Sequence, residues 1–97
     1  MATVVYSGRA LDHIERAFEF LRREHPDAAG RAVVAISSAA ASLAQHPLIG
    51  RRIDEDLREL VISYGHTGYV ALYRFDVVRD EVRILALRHQ REIGYVP

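Results

Sequence analysis

Near the end of this 97-residue chain, residues 88 to 95 read "RHQREIGY". Guanidinium groups, an imidazole, an amide and a phenol follow one another within a few positions. Imidazole exchanges a proton near neutral pH, and arginine holds anions with a planar fork of donors. Arg88, His89, Gln90, Arg91 and Tyr95 are therefore the first candidates for a site. Two descriptions fit them: a sheet end that carries chemistry, or a solvated strand terminus in which His89 is an ordinary ring. Arg51, Arg52 and Arg58 form a second cationic group, which reads either as a phosphate-facing patch or as a salt-bridged loop, since Asp54, Glu55, Asp56 and Glu59 lie among them. Arg74 with Asp76, and Arg79 with Asp80 and Glu81, read as strand-end and turn charges. His13, His25, His46 and His66 show no metal-ligand spacing with one another or with a carboxylate pair, so no metal is expected. The chain has no glycine-rich phosphate loop and no serine nucleophile elbow.

The elements that must position these residues follow from hydrophobic period. "TVVY" (3–6) is a short β-branched and aromatic strand. Ser7 or Gly8 ends it and caps a helix whose Leu11, Ile14, Phe18 and Leu21 recur at spacings of three and four. Pro26 disfavours helix at His25, and Asp27 is the expected N-cap of a second helix, about Ala28 to Gln45, with Val33, Ile36, Ala40 and Leu43 in the same period. Its small-residue tract "SSAAAS" (37–42) predicts a close seam with the first helix or the sheet. His46-Pro47 and Gly50 make a loop of "QHPLIGRRIDEDL". Three strands then follow, Leu57–Tyr64, Tyr69–Asp76 and Val82–His89, with the hairpin-length connectors "GHTG" and "VRDE". The middle strand is apolar on both faces, which predicts the centre of a sheet. Largely buried positions should include Leu11, Ile14, Phe18, Val33, Ile36, Leu43, Val70, Leu72 and Leu85.

The whole is one domain, residues 1–97, of α+β class: a two-helix hairpin packed on a small twisted antiparallel sheet, in the order β-α-α-β-β-β. Hydrophobic residues make up 49% of the chain, enough for a core without staples, and there is no cysteine, which fits a reducing cytosol. No 18-residue apolar run or leader-like segment is present, so membrane spanning and secretion are not expected. Thirteen basic side chains balance thirteen acidic ones, which argues against binding nucleic acid by blanket phosphate neutralisation.

Beyond this the residues alone define no reaction. The phrases "GRALDHIERAFEFL", "HPLIGRRI", "LRELVI", "GYVALYRF" and "ILALRHQREIGY", in this order and spacing, resemble the RelE/ParE superfamily of type II toxin–antitoxin toxins across nearly the whole chain. The resemblance implies a growth inhibitor held by a cognate antitoxin in a hetero-oligomer, with no cofactor, and one of two targets. RelE-like members cut messenger RNA on the ribosome, whereas ParE-like members inhibit DNA gyrase and have no known catalytic constellation. RelE-like nucleases usually carry an arginine after the Gly-Tyr, where this chain has Val70, and lysines on the preceding strand, where it has Arg58 and Glu59. Such cations would stabilise charge on a cleaving phosphodiester. The expectation is therefore a ParE-like toxin, with Arg58, Arg74, Arg88, His89, Gln90, Arg91 and Tyr95 as a target- or antitoxin-binding set. In the alternative, RNA-cleaving reading, His89 and Tyr95 would move protons while Arg88 and Arg91 held the phosphate. A third reading is a degenerate member that only binds its antitoxin.

Overall fold

A computed structural model describes residues 1–64 and 67–97, except for the side chains of Tyr64 and Thr67. The elements run β1 (Thr3–Tyr6), α1 (Gly8–Glu24), α2 (Pro26–Ser42), β2 (Arg51–Arg52), β3 (Leu57–Tyr64), β4 (Thr67–Asp76) and β5 (Glu81–His89). They make a two-helix layer on a five-stranded sheet in the order β1-β5-β4-β3-β2. The helical hairpin, the element order and the central place of β4 agree with the sequence-based expectation. The sheet itself is mixed rather than wholly antiparallel, because β1 lies parallel to β5, pairing Thr3 with Glu81 and Tyr6 with Ile84. Both helices and three strands lie between β1 and β5, and a parallel pair requires a long connection rather than a hairpin. β2, two residues inside the expected loop, pairs antiparallel with β3. Residues 65 and 66 of the "GHTG" connector, and with them His66, lie outside the described residues.

Ser7 ends β1 and caps α1, its hydroxyl accepting from Ala10 N–H at 3.0 Å. The same hydroxyl donates to Leu85 O at 2.9 Å, tying the cap to β5. α2 begins two residues earlier than predicted, with Pro26 rather than Ala28 as its first residue and His25 rather than Asp27 as N-cap. Proline is suited to the first helical position, where its missing N–H is no loss. The helices bury mostly small residues: Ala10 on α1 and Ala29, Ala32 and Ala40 on α2, with Ile36 among them. Leu11 corrects the expected stripe. It is 53% exposed, while Ala10 and His13 turn inward in its place.

Beneath the helices the core continues through Ile62, Tyr69, Ala71, Tyr73, Val82, Ile84 and Leu87. Val70 is buried as predicted, whereas Leu72, Leu85, Ile14, Phe18 and Val33 are only half-buried. The register shift at Leu72/Tyr73 pairs Leu72 with Ala86 and Tyr73 with Ile84, leaving Leu85 as the extra residue of a bulge. The Tyr73 ring is fully buried, and its hydroxyl donates to Pro47 O at 2.8 Å and accepts from Gly50 N–H at 2.9 Å. It therefore pins the loop before β2 to the centre of the sheet.

Candidate functional site

The candidate residues gather at one end of β4 and β5. Tyr69 pairs with His89 and Val70 with Arg88, so the residue after the Gly-Tyr stands directly across from Arg88. Successive strand residues turn to opposite faces, and this separates the cluster. The His89 ring lies on the helix side, edge-on to Tyr69 at 5.5 Å between centroids. Arg88 turns to the other face, where it meets Glu59 of β3, its guanidinium 3.6 Å from the carboxylate.

Glu59 is the centre of this second group. Its side chain is only 8% exposed. One carboxylate oxygen accepts from Arg51 Nη2 at 2.8 Å, and the other accepts from the Tyr95 hydroxyl at 2.7 Å. Arg88 also lies over the Tyr95 ring, 5.4 Å from its centroid. Its Nη1 donates to the carbonyls of His89, Gln90 and Glu92, at 3.4, 3.4 and 3.0 Å. Arg88 thus folds the turn after β5 while its charge answers Glu59.

The electrostatics follow from this arrangement. Burial alone would raise the Glu59 pKa, but the hydrogen bonds from Tyr95 and Arg51 and the charges of Arg88 and Arg51 outweigh it and hold the carboxyl below its ordinary value. Burial, then the bond and charge of Glu59, push the Tyr95 phenol well above its ordinary value, and Arg88 only partly offsets them. A phenol in that state gives its hydrogen to Glu59 and is a poor base at neutral pH. An incoming phosphate would meet the Glu59 carboxylate already seated among Arg51, Arg88 and Tyr95, and like charge would oppose it.

The remaining candidates occupy other places. His89 Nδ1 accepts from Arg91 N–H at 3.1 Å, and the His89 N–H is taken by Glu92 at 2.8 Å. His89 and Arg91, with Arg16 and Phe20 of α1, line a cavity of about 580 Å³ between α1 and the end of the sheet. Gln90 donates its N–H to Gly68 O at 3.0 Å. Arg58 does not join the cluster, because its guanidinium clamps Leu48 O and Gly50 O at 3.1 and 2.9 Å beneath the loop. Nor does Arg74, which pairs with Asp56 at 3.5 Å and sits across from Arg83, toward the opposite end of β4.

Sequence reasoning reads Arg51 as part of a phosphate-facing patch or a salt-bridged loop and Glu59 as a charge offsetting it, and weighs His13 only as a metal ligand. The available signals were an acid breaking the apolar run of "LRELVI" and a histidine set between Ala10 and Ala17 at helical spacing. Among the described residues no group of three acidic or histidine side chains could hold a metal ion.

Residues 4–94 match the family model described as ParE toxin of type II toxin-antitoxin system, parDE. Among curated proteins the chain is 40% identical over 92 residues to "Toxin RelE3" of Caulobacter vibrioides, covering 95% of this chain and 98% of that one. It is 34% identical over 89 residues to "Toxin RelE2" of the same organism, covering 92% and 96%. Among solved structures it is similar to a chromosomal ParDE TA system from P. aeruginosa, with a TM-score of 0.75 at 18% identity over 92% of this chain and 96% of that one. It is also similar to the intact E. coli RelBE toxin-antitoxin complex, with a TM-score of 0.64 at 13% identity over 95% and 100%. At those identities the two structures speak for the fold alone.

Proposed function

Because this chain belongs to the ParE toxin family of type II toxin–antitoxin systems, within the RelE/ParE superfamily, we propose that it is a growth inhibitor that acts by binding and not by cutting RNA. Its proposed target is DNA gyrase, and its proposed partner is a cognate antitoxin. The observation that carries this reading is the Glu59 carboxylate bonded by Arg51 and Tyr95 and faced by Arg88. A ribonuclease needs such cations and such a phenol directed at a phosphodiester. Here an internal anion engages them, and the position across from Arg88 is the uncharged Val70.

The cavity beside α1 is the proposed seat of the antitoxin. Its walls include Phe20, which is 65% exposed, together with Leu21, Tyr69 and Leu87, and Arg16 and Arg91 lie at its rim. An apolar segment flanked by acidic residues suits such a lining.

The names of the RelE toxins among the relatives favour a second reading, ribosome-dependent cleavage of messenger RNA. Induced expression separates the two. Under the first, purified protein inhibits gyrase supercoiling, and induced cells filament while their messenger RNA stays intact. Translation-dependent cuts that appear within minutes and vanish in His89→Ala or Tyr95→Phe would establish the second. Normal growth at high levels of folded protein would overturn the toxin reading itself, and failure of the co-expressed neighbouring gene product to restore growth would overturn the antitoxin.

A further inference from the structure

β5 outruns its parallel neighbour. β1 ends at Tyr6, opposite Ile84, where the chain turns into α1. Beyond that point the edge groups of β5 find partners on α1 and its cap. Ser7 Oγ serves Leu85 O, and the Leu87 N–H donates to Nδ1 of His13 at 3.0 Å. His13 is 5% exposed. Its other nitrogen, Nε2, lies 2.7 Å from Val96 O. Since Nδ1 accepts from a backbone N–H, the ring hydrogen is on Nε2, and Nε2 donates to Val96. One neutral imidazole therefore joins the strand edge to the last residues of the chain. Arg9, one turn earlier on α1, adds bonds to Val96 O and Tyr95 O at 3.1 and 3.3 Å.

We infer that His13 is a pH-sensitive fastener, holding Val96 against β5 when neutral and releasing it from the strand when protonated. The reason is the count of hydrogens on the ring. Imidazolium carries N–H at both nitrogens, so protonated Nδ1 would point a hydrogen at the Leu87 N–H. Donor would face donor in a buried site, and the ring must leave the strand edge. It can keep Val96 only by carrying that residue away from Leu87, and it cannot serve both. Both ring nitrogens face backbone groups, so no carboxylate is bonded to the ring to support an imidazolium. Arg9 and Arg16 share its helix with Asp12 and Glu15, and Arg88, His89, Arg91, Glu92 and the Tyr69 phenol line the cavity it borders. Among the described residues of that lining the carboxylate is Glu92, which already accepts from the His89 N–H. The fastening is therefore present while the ring is neutral and is lost when it takes a second proton. Tyr95 stays bonded to Glu59, whose carboxyl is held below its ordinary value and so remains charged in mildly acid solution. What opens is the Val96 wall of the cavity. The inference rests on hydrogen-bond geometry and stands whatever the cavity binds.

Nuclear magnetic resonance on the intact chain between pH 8 and 5 tests it. The His13 nitrogen shifts should report the Nε2–H tautomer at high pH. Protection of the Leu87 amide from hydrogen exchange, corrected for intrinsic rates, should fall at least tenfold with the His13 midpoint, and the Val96 methyl signals should move with it while the Tyr95 ring signals hold. A His13 ring that titrates while Leu87 stays protected and Val96 stays in place would overturn the inference, as would an Nδ1–H tautomer. His13→Gln, whose amide can accept and donate but does not titrate, should remove the transition. The same transition at the same pH in that variant would also overturn the inference, and because the wild-type titration decides by itself, a misfolded variant does not remove the test.

Discussion

At the residue scale the main opposition is between one carboxylate and the groups around it. Glu59 stands among Arg51, Arg88 and Tyr95 with its side chain almost buried, and a buried charge left unpaired is costly. Tyr95→Phe should therefore weaken the seating of the last residues but leave growth inhibition largely in place, within about tenfold of the parent in the dose needed to stop growth. A general acid or base would instead cost about 10²–10⁴-fold in rate, so loss of toxicity on that scale would count for the nuclease reading. Glu59 also sets an acid limit. Its folded pKa is depressed, so its contribution to stability is complete above the unfolded value of about 4.3. That contribution is lost as pH falls through the lower folded value. Urea midpoints measured down to about pH 3 should fall for the parent more steeply than for Glu59→Gln, and parallel curves would remove the role assigned to this carboxylate.

At the scale of elements, β1 and α1 are joined by one side chain. The Ser7 hydroxyl accepts from Ala10 N–H and donates to Leu85 O, so it both starts the helix and closes the edge of β5. Ser7→Ala should cost about 1–2 kcal/mol, the upper part of the range for a lost N-cap, because the strand carbonyl loses its partner too. A smaller change in unfolding free energy than an ordinary exposed cap gives would mean the Leu85 bond contributes nothing. The loop before β2 depends on close approach. A Cβ at Gly50 would stand 2.5 Å from Tyr73 Cε1 and 2.9 Å from Glu59 O, and neither a central-sheet ring nor a strand carbonyl gives way easily. Gly50→Ala should displace Tyr73 and lower stability well beyond the ~1 kcal/mol typical of point changes. Unchanged thermal unfolding would show that the loop is less tightly pinned than its hydrogen bonds indicate.

At the scale of the whole molecule, the first strand can be placed only after the last has formed, since Thr3 pairs with Glu81. Contacts of that sequence separation close large loops and slow folding. The core that rewards this closure lies on the helix side of the sheet. Ile84→Ala should cost about 2–5 kcal/mol in a denaturant titration, in the range of other large-to-small core changes. Half-buried Leu72 on the far side should cost less when changed to Ala, and equal losses would mean that the two faces are buried alike.

The helical hairpin, the strand meander, the central place of β4 and the toxin family were all legible in the sequence. Each depends on local period, turn chemistry or the order of short phrases, which neighbouring residues determine among themselves. Tertiary structure alone decided three things. It decided that β1 runs parallel beside β5, since strand direction is a property of the crossover and not of "TVVY". It decided that a bulge at Leu72/Tyr73 shifts the register and leaves Leu85 half-buried. It also decided that Arg88 and His89, adjacent in "RHQREIGY", act on opposite faces, one against Glu59 and the other against Tyr69. Glu59 and Tyr95 are 36 positions apart, and His13 and Leu87 are 74 apart. No local pattern records such pairs, because they exist only once the sheet has formed and α1 has packed against it.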